Sequence, residues 1–98
     1  MSRELKKQRD KQILKPLEGE TIIVYFRAEH TQPKILFIEK IGYLGHGEVG
    51  FSVFNFIDDV YDDDWKMWGM GLYAAKKLVK NKMVTFDEPD IVTKVEIM

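Results

Sequence analysis

The rhythm of apolar and polar positions changes several times along this chain, and each change marks an element. Residues 2–15 are polar, with only Leu5, Ile13 and Leu14 as apolar positions. Good helix formers, Ser2 as an N-cap and Pro16 as a stop predict a helical arm here, frayed at its start. So thin an apolar stripe predicts weak attachment to any core. Residues 21–28 (TIIVYFRA) are β-branched and aromatic and predict a strand. His30 to Pro33 reads as a turn, and residues 34–41 as the returning strand. So short a connection cannot carry a parallel crossover, so the pair is expected to be antiparallel. Gly42, Gly45, Gly47 and Gly50 predict a loop, followed by a third strand over 51–57.

The strongest helical signal covers residues 65–80. At about 100° per residue, Trp65, Met67, Trp68, Gly71, Leu72, Ala74, Ala75, Leu78 and Val79 share one half of the wheel. Lys66, Gly69, Met70, Tyr73, Lys76, Lys77 and Lys80 share the other. Asn81 is the expected C-terminal cap. Residues 83–86 predict a short strand and 87–90 a turn. Alternation of Ile91, Thr93, Val95 and Ile97 with Val92, Lys94 and Glu96 predicts the last strand. The expected fold is α+β: a basic helical arm over 1–15, then one domain over 16–98. Its sheet is mainly antiparallel, with about five strands, and one amphipathic helix packs on it in the order (α)βββαββ.

The strands are apolar on both faces. Ile22, Val24 and Phe26 alternate with Ile23 and Tyr25; Ile35 and Phe37 alternate with Leu36 and Ile38; Phe51 and Val53 alternate with Phe54 and Phe56. One helix covers one face. The other needs the arm, a curled sheet, or another chain, because large exposed apolar patches are rare on monomers.

Composition narrows the class. The chain has 98 residues and no cysteine, so one domain is expected, without disulfides, thiol chemistry or cysteine metal sites. No apolar run approaches the roughly 20 residues that span a bilayer, and the first residues lack the apolar core of a signal peptide. A cytoplasmic protein without membrane contact is therefore expected. The net charge of −1 hides strong segregation. Residues 1–15 carry +4, 16–64 carry −7, 65–82 carry +5 and 83–98 carry −3.

Candidate chemistry is sparse. Gly45-His46-Gly47-Glu48-Val49-Gly50 matches G-x-G-x-x-G, but a strand follows where phosphate binding requires a helix. A hairpin connection is the expected role. Asp58, Asp59, Asp62, Asp63 and Asp64 form a dense acidic run. Its spacing fits no EF-hand register, since neither Asp63 nor Asp64 supplies the glycine required at the sixth position. It reads either as a helix cap or as an acidic patch facing a partner. Arg3, Lys6, Lys7 and Arg9 of the arm, with Lys66, Tyr73, Lys76, Lys77 and Lys80 of the helix, form the alternative: a nucleic-acid-binding surface of lysines around a stacking ring. No RRM, KH or zinc-finger signature accompanies it. Ser52, His46 and Asp59 lack nucleophile-elbow spacing, His30 sits in a turn, and Glu29 and Glu39, a carboxylate pair near the first hairpin, read as surface acids without a pocket. No catalytic residue, metal or cofactor is expected.

The expected function is that of a small non-enzymatic binding protein. It would regulate or inhibit a macromolecular partner through the apolar sheet face, the acidic patch, or both, with occupation of a nucleic-acid-binding groove as one form. A protein partner is expected, with a homodimer as a variant. A nucleic-acid-binding regulator is the alternative, and a small-ligand or metal-dependent enzyme the third.

Overall fold

The β-branched runs pair as their alternation predicts. In the computed structural model, which describes residues 3–28, 31–45, 47–62 and 68–98, strand β1 (Thr21–Phe26) runs antiparallel to β2 (Lys34–Gly45). Ile22 lies opposite Leu36, and Thr21 opposite Phe37. Strand β3 (Glu48–Asn55) returns along most of β2. On the free side of β1 lies β7 (Val92–Ile97), and β6 (Met83–Thr85) closes that edge. At the opposite edge β3 is shared by two short strands. Here β4 (Val60–Asp62) pairs with Val53–Asn55, and β5 (Gly69–Gly71) pairs with Glu48–Gly50. Among the described residues the sheet has seven antiparallel strands in the order β4-β3-β2-β1-β7-β6, with β5 on β3 outside that path.

Two expectations fail here for one reason. The glycine-rich stretch is not a loose loop, because β2 and β3 continue through it with Gly42 opposite Gly50. The connection is confined to residues 45–48, where Gly47 takes φ 75°, a conformation that favours glycine. The expected helix over 65–80 starts only at Leu72. Residues 65–67 lie outside the described residues, and Gly69 to Gly71 form a strand. Glycine costs about 1 kcal/mol in a helix relative to alanine, and here it serves a close approach. Gly69 lies opposite Gly50, and a Cβ on Gly69 would collide with the Val49 carbonyl oxygen. Phe51 N–H donates to Trp68 O and Leu72 N–H to Gly47 O, both at 2.7 Å, which fixes where α2 (Leu72–Asn81) leaves the sheet. Trp68 is half-buried against the core, but from an extended segment rather than from a helix. Asn81 ends α2 and the left-handed cap falls one residue later, on Lys82 (φ 62°), whose N–H donates to Leu78 O at 2.9 Å.

The first helix, α1 (Arg3–Leu14), is followed by a 3-10 turn (Lys15–Leu17) with Pro16 near its start. It is anchored more firmly than its thin stripe predicts, because Leu14 and Leu17 are fully buried. Both join Ala75 and Leu78 of α2 over one face of the sheet, formed by Ile22, Val24, Leu36, Ile38, Val49, Phe51, Val53, Val84 and Val95. The arm and α2 therefore cover the same face, and the arm does not cover the second.

A substitution separates the strand from the helix at β5. In a helix, Gly69→Ala would stabilise by about 1 kcal/mol. Opposite Gly50 it should instead destabilise by about 1–3 kcal/mol, through overpacking against backbone. Urea denaturation of the variant reads the sign.

Candidate functional site

Strand alternation places Ile23, Tyr25, Ile35, Phe37, Phe54 and Tyr61 on the second face. Thr21, Phe37, Phe54 and Tyr61 lie in one row across four strands. Among the described residues no helix lies on this face. Its centre is half-buried by neighbouring side chains, but its β4 end is open, with Phe56 50% and Tyr61 66% exposed. The rings touch: Phe54 and Phe56 meet edge to face at 5.1 Å between centroids, and Phe54 and Tyr61 pack tilted at 4.8 Å. Such geometries suit the ring quadrupoles. Towards β7 the face becomes polar. The Tyr25 hydroxyl donates to Glu96 Oε1 at 2.7 Å, and Lys94 Nζ lies 4.5 Å from the Tyr25 ring centroid. The bond to Glu96, then partial burial and the carboxylate charge, hold the Tyr25 phenol above its ordinary range.

The acidic run is divided by the fold. It does not cap α2, whose N-cap is Gly71 with no side-chain bond and no acid in its first turn. Asp58 sits in the β3–β4 turn and accepts from Lys34 Nζ at 2.9 and 3.1 Å and from Asn55 Nδ2 at 3.0 Å. Asn55 Oδ1 in turn accepts the Ile57 and Asp58 N–H groups, which builds the turn from within. Asp59 follows with φ 55° and no partner among the described residues. Asp62 lies opposite Val53, on the other face of β4 from Tyr61. Asp63 and Asp64 lie outside the described residues. Among the described acids, Asp58 and Asp59 thus border the aromatic cluster at its turn, while Asp62 points to the other face.

The basic candidates gather elsewhere. Both helices lie on the covered face, so Lys6, Lys7 and Arg9 of α1 and Tyr73, Lys77 and Lys80 of α2 are exposed on one side of the molecule. Arg3 begins α1, and Lys66 lies outside the described residues. Lys77 Nζ stands 5.0 Å from the Tyr73 ring centroid. Lys76 is engaged in the fold: it pairs at 2.9 Å with Asp10, which is only 6% exposed. Nearby, Tyr43 buries its hydroxyl with no hydrogen-bond partner among the described residues. Burial, then the Asp10 charge, push its pKa up to about 12.

Ser52 is buried within β3, and His30, His46 and Glu29 lie outside the described residues. Glu39 is exposed at the β2 bulge, past the point where β1 begins. Among the described residues no cluster of three His, Asp or Glu can hold a metal, and no helix is long and apolar enough to cross a membrane. No protein-family model, curated protein or solved structure matches this chain significantly.

Two substitutions test the polar cluster beneath the helices. Lys76→Met strands the Asp10 carboxylate and should cost about 1–3 kcal/mol, discounted for the partial exposure of Lys76. Lys80→Met on the solvated face should stay within about 0.5 kcal/mol. Tyr43→Phe removes an unpaired hydroxyl and should add about 1 kcal/mol. The unfolded phenol ionises above pH 10.0, while the folded one keeps its proton to about 12, so wild-type stability is lost across that window. The phenylalanine variant should show a smaller loss between about pH 8 and about pH 11 in urea titrations.

Proposed function

We propose that this chain is a small non-enzymatic binding protein, a regulator or inhibitor that docks a protein partner on the open face of its sheet. The observation that supports this most is the Phe54–Phe56–Tyr61 cluster. Phe56 and Tyr61, both half-exposed or more, each pack on Phe54 next to an acidic turn, on a face where no helix lies among the described residues. Aromatic side chains dominate binding hot spots. Covering two half-exposed rings would contribute about 1–2 kcal/mol each. Asp59 at the edge of the cluster favours a partner that sets a lysine or arginine beside its apolar contact, and such a pair would speed encounter. A cytoplasmic setting is part of this proposal, since a chain without cysteine needs no oxidising compartment.

A second reading has its own support. The two helices bring Lys6, Lys7, Arg9, Lys77 and Lys80 to one side of the molecule, all exposed. That arrangement suits a phosphate backbone, with salt-dependent affinity.

One set of variants separates the readings. Wild type, the pair Phe56→Ser with Tyr61→Ser, and the pair Lys77→Glu with Lys80→Glu are used to capture partners from host extract, with and without nuclease. The purified partner and defined oligonucleotides are then titrated. Docking on the sheet face predicts a protein bound by wild type and the lysine pair, and at least about tenfold more weakly by the serine pair. Tight oligonucleotide binding lost only in the glutamate pair would overturn this in favour of the second reading. Self-association of pure wild type, lost in the serine pair, would assign the face to a second copy of the chain.

A further inference from the structure

On the covered face, beside α2, the helices leave a groove of about 1000 Å³. Ligand sites commonly span about 300–1,000 Å³. Its floor is the apolar sheet surface around Phe51. One wall is Trp68 with β5 and the first turn of α2, and the other is the loop between β6 and β7. Five of the chain's twelve aromatic residues line it: Phe26, Phe51, Trp68, Tyr73 and Phe86. Among the described residues Asp90 is the only charged one in the lining, and its carboxylate has no partner among them. The apolar character continues outward, because Tyr73 and Ile91, one on each wall, are 74% and 73% exposed.

The loop wall is built rather than left loose. Arg27 N–H donates to Ile91 O at 2.8 Å, its Nε to Asp90 O at 3.0 Å and its Nη2 to Phe86 O at 3.3 Å. Its Nη1 lies 3.6 Å from Glu88. Arg27 behind this wall is therefore occupied by loop carbonyls and an acid. Among the described residues the lining combines π faces and a single carboxylate, with no lysine or arginine.

We infer that the groove binds an organic cation with an apolar body, of the alkyl- or arylammonium class. An ammonium group over aromatic faces is attracted by the ring quadrupoles, and more strongly where water is excluded. Asp90 supplies the counter-charge, and the sheet floor takes the apolar body. A carboxylate-headed amphiphile would meet Asp90 with the wrong sign. This site lies on the opposite sheet face from the aromatic cluster around Tyr61, so it stands or falls separately from the proposed docking face.

The test uses the whole chain without any partner. Benzyltrimethylammonium is titrated against neopentylbenzene, its uncharged isostere, with amide and indole shifts followed by NMR. The expected result is saturable shifts at Trp68, Asp90 and Ile91, with the cation bound about tenfold more tightly than the isostere. Asp90→Asn, an exposed loop change, should remove most of that preference and leave the isostere unaffected. Ala74→Phe, which fills the groove from α2, should weaken both ligands. No shifts with either ligand at millimolar concentration, equal affinity for the two, or shifts confined to Phe54, Phe56 and Tyr61 would each overturn the inference.

Discussion

The helical side of this molecule depends on a contact between two glycines. Gly69 lies against Gly50 where any Cβ would strike the Val49 carbonyl oxygen. That approach lets the chain rejoin β3 for three residues after the acidic stretch. The Leu72 N–H then meets the Gly47 carbonyl and α2 begins. The helix start sets its phase. Ala75 and Leu78 reach the core, while Lys76 falls beside α1 and meets the buried Asp10. The same short strand carries one wall of the aromatic groove. A side chain at position 69 would disturb the helix phase, the ion pair and the groove together, although the glycine itself contributes no packed surface.

Covering one face with both helices has a consequence for the other. A second helix on the far side would have hidden Phe37, Phe54 and Tyr61. Instead α1 and the 3-10 turn after it bury Leu14 and Leu17 beside α2, where the apolar floor is already deep. The exposed cations follow the helices to that side, while the aromatic cluster and Asp58–Asp59 lie at the β3–β4 end of the sheet. A net charge of −1 therefore describes no part of the surface. Steering depends on the local field, which has opposite sign near α1 and near the β3–β4 turn.

Period and propensity made the strands legible. The β-branched and aromatic runs of β1, β2, β6 and β7 declared themselves, and the short first loop fixed the antiparallel hairpin. The apolar character of both sheet faces was legible for the same reason, since Ile23, Phe37 and Phe54 alternate with Ile22, Leu36 and Val53. Which face the helices would take was not, because that depends on where α2 starts. There the wheel misled: Trp65, Trp68 and Leu72 have helical spacing, but two glycines flank Met70, and backbone pairing with β3 outweighs the periodicity. Of the two readings of the acidic run, the helix cap fails for the same reason, once the helix start moves beyond it. Neither the aromatic cluster nor the groove could be found from spacing alone. Tyr61 lies within the acidic run, and the groove takes Phe26, Phe51, Trp68, Phe86 and Asp90 from segments far apart in sequence.

An open sheet edge with aromatic residues beside it invites indiscriminate pairing, so its limits matter as much as its exposure. Here the described part of β4 is three residues long, and the turn before it is held by Asn55 and Asp58 in a fixed shape. Short edges and nearby charge are the usual defences against edge-to-edge association. Asp58 spends its charge on Lys34, which ties the turn to β2, whereas Asp59 keeps its charge facing outward. The two acids thus do different work. Asp58 holds the turn in place, and Asp59 repels a second acidic edge while leaving the rings accessible to a basic one. A surface that discourages its own copy and tolerates an oppositely charged neighbour has the asymmetry that selective binding requires.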